Sequence, residues 1–188
     1  MEVQEIFDNI ASRMVKGMMF HEQMTEYYLF LNLKGYSRCH EYHFMTETCC
    51  FLKLCKFYTK TYNKLVNPEI RGESFIPESW YNHTRQDVDS ATIQDAVKKG
   101  LEMWRSWEKE TREFYCTQYK ELMDAGEVHA ALYLEKLIKE VSCELEKVES
   151  YHLSKSAISY DISSIIAEQK HKHDKYAKRT EKVGKKLC

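Results

Sequence analysis

Four glutamates interrupt the apolar faces of four segments with helical periodicity. They are Glu22, Glu47, Glu108 and Glu144. Burying a carboxylate costs free energy unless the group is paired, protonated or bound to a cation. Hard divalent cations take oxygen ligands, so carboxylates at one level of a helical bundle could hold a pair of metal ions. Lys, Arg or Tyr side chains could also satisfy these groups, and the sequence leaves both interpretations open.

The segments that must position these glutamates are long helices. Apolar residues recur every three or four positions from Val3 to Leu33, and Lys34-Gly35 then predicts the end of a first helix. Ser37 is a candidate N-cap for a second helix, which extends to about Val66. The two helices are therefore expected to form a hairpin.

A long connection separates this hairpin from the rest of the chain. The segment 67–91 contains both prolines and no helical pattern, and it is well beyond the usual connection length. Such a segment can cross the height of a bundle, so the third helix can run parallel to the second. Asp89-Ser90 or Thr92 is expected to cap that third helix, and residues 124–126 to end it.

A fourth helix and a short, basic fifth helix from about Ser159 complete the chain. The prediction is all-α: a four-helix bundle with one long crossover between helices 2 and 3, plus a short C-terminal fifth helix, in a single domain 1–188. At a rise of about 1.5 Å per residue, the four glutamates lie about 18, 15, 24 and 22 Å above the end where the first two helices join. These similar heights predict one carboxylate level inside the bundle.

This topology resembles the ferritin-like superfamily, in which four-helix bundles have one long crossover. Leu31-Asn32-Leu33-Lys34-Gly35, followed by His40-Glu41, is similar to the end of the first helix in Dps-type miniferritins. Trp107-Glu108-Lys109 resembles the third-helix carboxylate region of ferritins. The resemblance implies a non-haem di-iron protein that binds Fe, or alternatively Mn, and oxidises or stores iron. If the protein is an enzyme, the resemblance implies a ferroxidase-like oxidoreductase, and it also implies a homo-oligomer.

The resemblance also implies the ligands, which would be Glu22, Glu47, Glu108 and Glu144. The family has a His three residues after the second-helix glutamate, and here that position is Cys50, a candidate fifth ligand. Lys147 has the same offset from Glu144, where the family also accepts residues other than His. The missing His motivates a second hypothesis: a degenerate, metal-free bundle that acts as a protein-binding or inhibitory module, a kind that a mobile element could encode.

Two other groups of residues could bind metal. His21, His40 and His43 lie near the joined ends of the first two helices, where Dps-type proteins bind iron between subunits. The cluster Cys49, Cys50 and Cys55 could suggest a zinc knuckle, but no second Cys-x-x-Cys occurs and the segment is expected to be helical. Small buried core residues are the alternative interpretation of the cysteines.

The charge distribution bears on partners and location. The formal net charge is −1, but the segment from Lys170 to Cys188 contains eight Lys or Arg residues and only two acidic residues. This basic C-terminal segment could contact nucleic acid or simply be solvated. The N-terminus lacks the pattern of a signal peptide, and no apolar run could span a bilayer. These features predict a cytoplasmic protein with reduced thiols and no membrane partner.

Overall fold

The computed structural model describes residues 2–70, 72–84, 86 and 88–187, except for the side chains of residues 186 and 187. Its helices are α1 (Val3–Phe30), α2 (Lys34–Tyr62), α3 (Glu78–Tyr81), α4 (Ser90–Asp124), α5 (Val128–Ser156) and α6 (Ile162–Leu187). No strand occurs within these residues. The prediction of an all-α protein is confirmed.

The contacts between helices define their directions. α1 and α2 are antiparallel, since the Tyr28 and Tyr36 rings lie 5.4 Å apart while the Phe7 ring, toward the other end of α1, lies 4.7 Å from the Tyr58 ring. α4 is also antiparallel to α1: Tyr28 donates to the carbonyl of Ala96, and Arg13 to Thr111. α2 and α4 therefore run in the same direction, as the length of the crossover predicts.

The crossover is anchored to the bundle by its aromatic side chains. It occupies residues 63–89 and contains the single-turn helix α3. Trp80 is buried and stacks on Tyr27 with ring centres 4.1 Å apart, and Phe75 meets the edge of Trp107 at 5.7 Å. Asp89 then caps α4 by accepting a hydrogen bond from the Thr92 N–H at 2.7 Å.

α2 begins earlier than the sequence predicts, at Lys34 rather than after Ser37. Its N-cap position is Leu33, which has no capping side chain. Instead, Oε1 of Gln169 in α6 accepts a hydrogen bond from the Gly35 N–H at 2.7 Å. An acceptor from a distant helix thus satisfies one of the orphan donors at this helix end.

The C-terminal helix is not short, which corrects the prediction. α6 has 26 residues and packs along α2 in the same direction, from Gly35 beside Gln169 to Tyr42 beside Tyr176. Ile165, Lys172 and Tyr176 are buried. A lysine can bury its long apolar stem, and this is one reason that a basic segment forms a packed helix.

A polar layer divides the core of the bundle into two apolar clusters. One cluster lies around Met24, Leu101 and Ile165. The other lies around Ile10, Leu54 and Leu134. Between them, at middle height, are the buried polar residues His43, Glu108 and Thr111, together with the partly buried Glu47 and Glu144. A polar layer inside an apolar bundle is costly, so it marks the candidate functional region.

The close approach of α2 and α6 at Gly35 gives a testable prediction. A Cβ atom at this position would lie 2.5 Å from the Gln169 carbonyl oxygen, a backbone atom that cannot rotate away. We expect Gly35→Ala to lower the free energy of unfolding by about 1 to 3 kcal/mol, the usual cost of overpacking. Chemical denaturation followed by circular dichroism measures the change.

Gly17→Ala is the matched control, because its Cβ would meet Trp107 and Glu47 only at ordinary contact distances of 3.5 and 3.6 Å. Alanine is the better helix former in the interior of α1, so this variant should be as stable as the wild type or more stable. Equal destabilisation by both substitutions would contradict the close packing at Gly35.

Candidate metal centre

The polar layer contains a cavity of about 530 Å³ between α2, α4 and α5. Carboxylates from all three helices line it: Glu47, Glu108, Glu140 and Glu144. The structure therefore brings three of the four glutamates singled out in the sequence to one cavity.

Glu108 is the most deeply buried of these carboxylates, with 4% of its surface exposed. It comes from α4, and its Oε1 accepts a hydrogen bond of 2.9 Å from the Trp104 indole N–H. Its pKa is raised to about 8, mainly by burial and then by the negative charge of Glu47, while the Trp104 hydrogen bond acts in the opposite direction. Near neutral pH, the Glu108 carboxyl therefore carries a proton unless a bound cation displaces that proton.

Glu47 is placed by α2 against the backbone of α1. Its carboxyl carbon would lie 3.6 Å from a Cβ atom on Gly17, so this carboxyl group packs closely against α1 at Gly17. Burial raises the pKa of Glu47 to about 7, with further contributions from Glu140 and Glu144. The carboxylates repel one another, and this repulsion favours protons or a bound cation.

α5 contributes two carboxylates, which lie one helical turn apart. Glu144 accepts a hydrogen bond of 2.6 Å from Lys147, and its Oε2 lies 3.8 Å from Nε2 of His43. Glu140 is more exposed and stands at the rim of the cavity. The cavity thus has a deep end at Glu108 and a rim at Glu140.

Cys50 lines the same cavity but is in its thiol form. Its Sγ donates to Oε2 of Glu140 at 3.7 Å. Burial raises the pKa of Cys50 to about 12, and the charges of Glu47 and Glu140 add to this effect. Cys50 lies where it could bind a metal ion in the cavity, but its thiol needs a cation nearby before it can lose its proton.

Glu22 does not line this cavity. The prediction that its side chain points into the bundle is wrong. It is exposed and lines two surface grooves instead. The α1 residue that lines the cavity is Met14, and the charged α1 residue near the carboxylates is Arg13, whose guanidinium lies 3.6 Å above the Trp107 ring and donates to Thr111 at 2.9 Å. α1 therefore supplies a cation where the sequence analysis expected a carboxylate.

The three histidines form a buried cluster beside the cavity. His21, His40 and His43 are all buried, and the Nδ1 atoms of His21 and His40 are 2.9 Å apart. One ring must donate and the other accept, so at most one of these two nitrogens is protonated. The idea of an intersubunit iron site at these histidines is wrong, because the rings face the interior of the chain and not its surface.

His43 connects this cluster to the carboxylates. Its ring lies 4.8 Å from the Trp104 ring, and its Nε2 atom faces Glu144. Burial lowers the pKa of His43 to about 4, although the charge of Glu144 acts in the opposite direction. A neutral imidazole at the cavity wall is the form that coordinates a metal ion.

Two members of this cavity, His43 and Glu140, were not among the ligands predicted for the carboxylate site; His43 was considered only for a separate histidine site. Each stands four residues before a predicted glutamate, giving the pairs His43 with Glu47 and Glu140 with Glu144. Residues four apart share a helix face, so this spacing was a usable signal. His43 supplies an imidazole one turn before Glu47, whereas the ferritin-like pattern would have it one turn after.

The side chains are not assembled into a finished metal site. In the described part of the chain, no three His, Cys, Asp or Glu residues are grouped closely enough to hold an ion. This also applies to Cys49, Cys50 and Cys55, which do not form a zinc knuckle in this structure. The donor chemistry of the cavity, carboxylate oxygens with one imidazole, nonetheless fits Fe(II) or Mn(II), and the cavity leaves room for rotation of these side chains.

Comparison with known proteins identifies no relative: no family model, curated protein or solved structure matches this chain. Among the described residues, no helix has both the length and the apolar character required to cross a membrane.

Proposed function

We propose that this protein is a ferritin-like helical bundle that binds Fe(II) or Mn(II) at the cavity between α2, α4 and α5. The observation that carries the proposal is the convergence of Glu47, Glu108 and Glu144, from three different helices, on one cavity in the polar layer. These three residues would be the principal ligands. Glu140 and His43 would complete the set, and Cys50 stands beside it.

The residues of the chain would prepare this site in three ways. Trp104 orients Glu108 through its indole N–H, and Lys147 holds Glu144 at the cavity wall. Apolar clusters on both sides keep water from the deep end. A pair of bound iron ions would supply the oxidation of Fe(II) by O₂, a ferroxidase-like reaction.

Metal binding should release protons, because Glu47 and Glu108 have pKa values of about 7 and 8. We expect Mn(II), or Fe(II) under anaerobic conditions, to bind with release of about one to two protons per protein at pH 7. Calorimetric titration in two buffers of different ionisation enthalpy measures this number. Elemental analysis of protein purified without chelators, and oxygen consumption with Fe(II), are parallel readouts.

Glu22→Gln is the control in this experiment. Because Glu22 is exposed and outside the cavity, the variant should bind metal and release protons as the wild type does. Protein that contains no Fe or Mn, shows no saturable binding and does not oxidise Fe(II) would rule out the proposal.

One observation favours the second hypothesis, a metal-free bundle that binds or inhibits another protein. Arg13 lies near the carboxylates and lowers the pKa values of Glu47 and Glu108, so it compensates part of their charge without a metal. A stability that is the same with Mn(II) and with a chelator, together with capture of one specific partner protein, would support this alternative over metal binding.

A further inference from the structure

A second cavity, of about 460 Å³, lies between α5 and α6. We call it the basic cavity, because four cationic side chains line it: Lys147, Lys172, Lys175 and Arg179. Three of them come from one face of α6, at spacings of three and four residues. The basic C-terminal segment therefore directs part of its charge toward this cavity, which is open to solvent on one side.

Lys172 is the most unusual of these cations because only 3% of its surface is exposed. Its ammonium lies 3.9 Å from the Tyr36 ring centre and 3.8 Å from the Tyr151 ring centre. Two aromatic faces thus stabilise the charge in place of water. Burial of an ammonium group is costly, and it is maintained here inside a cavity wall.

The carboxylate nearest to Lys172 is shared with another lysine. Glu168 lies 3.9 Å from the Lys172 ammonium and 3.0 Å from that of Lys155, which is equally buried. The single negative charge of Glu168 is therefore shared by two buried lysines. A net positive charge remains at this end of the basic cavity.

Lys175 and Arg179 add further positive charge. Within the described residues neither has a carboxylate at ion-pair distance. Their cationic groups lie 5.2 and 5.6 Å from the Tyr176 ring centre. The acidic residues lining the cavity are Glu144, which Lys147 already pairs, and the exposed Glu146. The positive potential is thus only partly neutralised.

The remaining walls are aromatic and apolar. Trp104, Tyr151 and Tyr176 line the cavity beside Val148. A space of this volume is within the range of small-molecule sites, which combine an apolar lining with a few directed polar groups. The cations lie beside aromatic rings, and this combination suits a ligand with an anionic group and a planar or apolar body.

We propose that the basic cavity binds a small phosphorylated molecule, with its phosphate at Lys172, Lys175 and Arg179 and its body against Trp104 and Tyr176. Lysine and arginine are the usual partners of phosphate, and charge-assisted hydrogen bonds are the strongest such contacts. The basic cavity shares His43, Glu144 and Lys147 with the carboxylate cavity, so the two sites are adjacent. The inference does not depend on metal binding.

The test is calorimetric titration of the metal-free full chain with inorganic phosphate and, separately, with adenosine monophosphate at one fixed salt concentration. We expect saturable binding at one site. Lys175→Gln combined with Arg179→Gln should weaken this binding at least about tenfold, since it removes two charge-assisted contacts. Both positions are at least partly exposed, so the variant should fold.

Lys178→Gln combined with Lys182→Gln is the matched control. It removes the same charge from exposed positions of α6 that do not line the cavity, and it should change the affinity less than about twofold. Tighter binding of the nucleotide than of phosphate would show that the aromatic walls bind the body of the ligand. Equal binding of the two would show that the site binds the phosphate group alone. No saturable binding of either probe, or equal weakening by both double variants, would overturn the proposal.

Discussion

Replacing Glu47 and Glu108 together by glutamine should make the metal-free protein more stable at pH 8 and abolish its binding of Fe(II) or Mn(II). The two carboxyls have pKa values of about 7 and 8, raised mainly by burial. In the unfolded chain they ionise at their ordinary values. The folded protein therefore holds protons on these carboxyls that the unfolded chain has lost, and their contribution to stability falls as the pH rises from about 4.5 to 8.

The size of this effect follows from the pKa values. One pKa unit corresponds to about 1.4 kcal/mol, so at pH 8 the raised pKa destabilises the metal-free fold by roughly 3 kcal/mol at Glu47 and roughly 4 kcal/mol at Glu108. Glutamine has nearly the same shape and no charge to bury. The double variant should gain several kcal/mol at pH 8 and little at pH 4, and it should lose the fall in stability that the wild type shows between pH 6.5 and 8.

Urea unfolding of the metal-free proteins at several pH values measures the gain, and melting with and without Mn(II) measures the binding. Glu22→Gln with Glu113→Gln is the control, since it removes two exposed carboxylates from α1 and α4. The control should leave both properties nearly unchanged. If the double cavity variant is less stable than the wild type at pH 8, then Glu47 and Glu108 are ionised and paired in the native protein, and the reasoning from burial is wrong.

The common level of Glu47, Glu108 and Glu144 could be predicted from the sequence because helix geometry is regular. Each residue adds the same rise, so a count from the expected helix ends places the three carboxylates at similar heights, and they do line one cavity. The orientation of α1 could not be predicted in this way. It is apolar on more than one face, and the core takes the side with Met14, Met24 and Tyr28. Glu22 consequently faces solvent.

The length and packing of α6 were not predictable from hydrophobic periodicity. The segment has few apolar residues, and its contact with α2 uses the stem of Lys172 and the hydrogen bond from Gly35 to Gln169. Both interactions are specific to the tertiary structure and leave no pattern in the local sequence. The same is true of the basic cavity, which requires α5 and α6 to lie side by side.

The histidine cluster should limit the stability of the protein in acid. Burial lowers the pKa values of His21 and His40 well below the ordinary value, and that of His43 to about 4. In the unfolded chain these groups take up protons below about pH 6.5. Stability from this source is therefore fully present above pH 6.5 and is lost as the pH falls toward the native pKa values.

The opposing effects of the histidines and the carboxyls then define the pH at which the metal-free protein is most stable. Acidification below pH 6.5 destabilises the fold through the three histidines and stabilises it through the two carboxyls, Glu47 and Glu108. Three protonated groups outweigh two, so the net effect of acid is to lower stability. Above pH 6.5 the carboxyl effect outweighs the opposite effect of Lys172, whose pKa is lowered to about 8 by burial, and stability falls until about pH 8. We expect the metal-free protein to be most stable near pH 6.5, which urea unfolding followed by circular dichroism will show.

His21→Gln isolates the contribution of the cluster, because His21 touches His40 and His43 but does not line the carboxylate cavity. Between pH 4.5 and 6, stability should fall less steeply than in the wild type, by about 1.4 kcal/mol per pH unit. The slope is the decisive readout, since the loss of packing at His21 lowers stability equally at every pH. His171→Gln removes an exposed histidine from α6 and should leave the slope unchanged. An unchanged slope in His21→Gln would mean that His21 is protonated as readily in the native protein as in the unfolded chain, which its burial and its contact with His40 argue against.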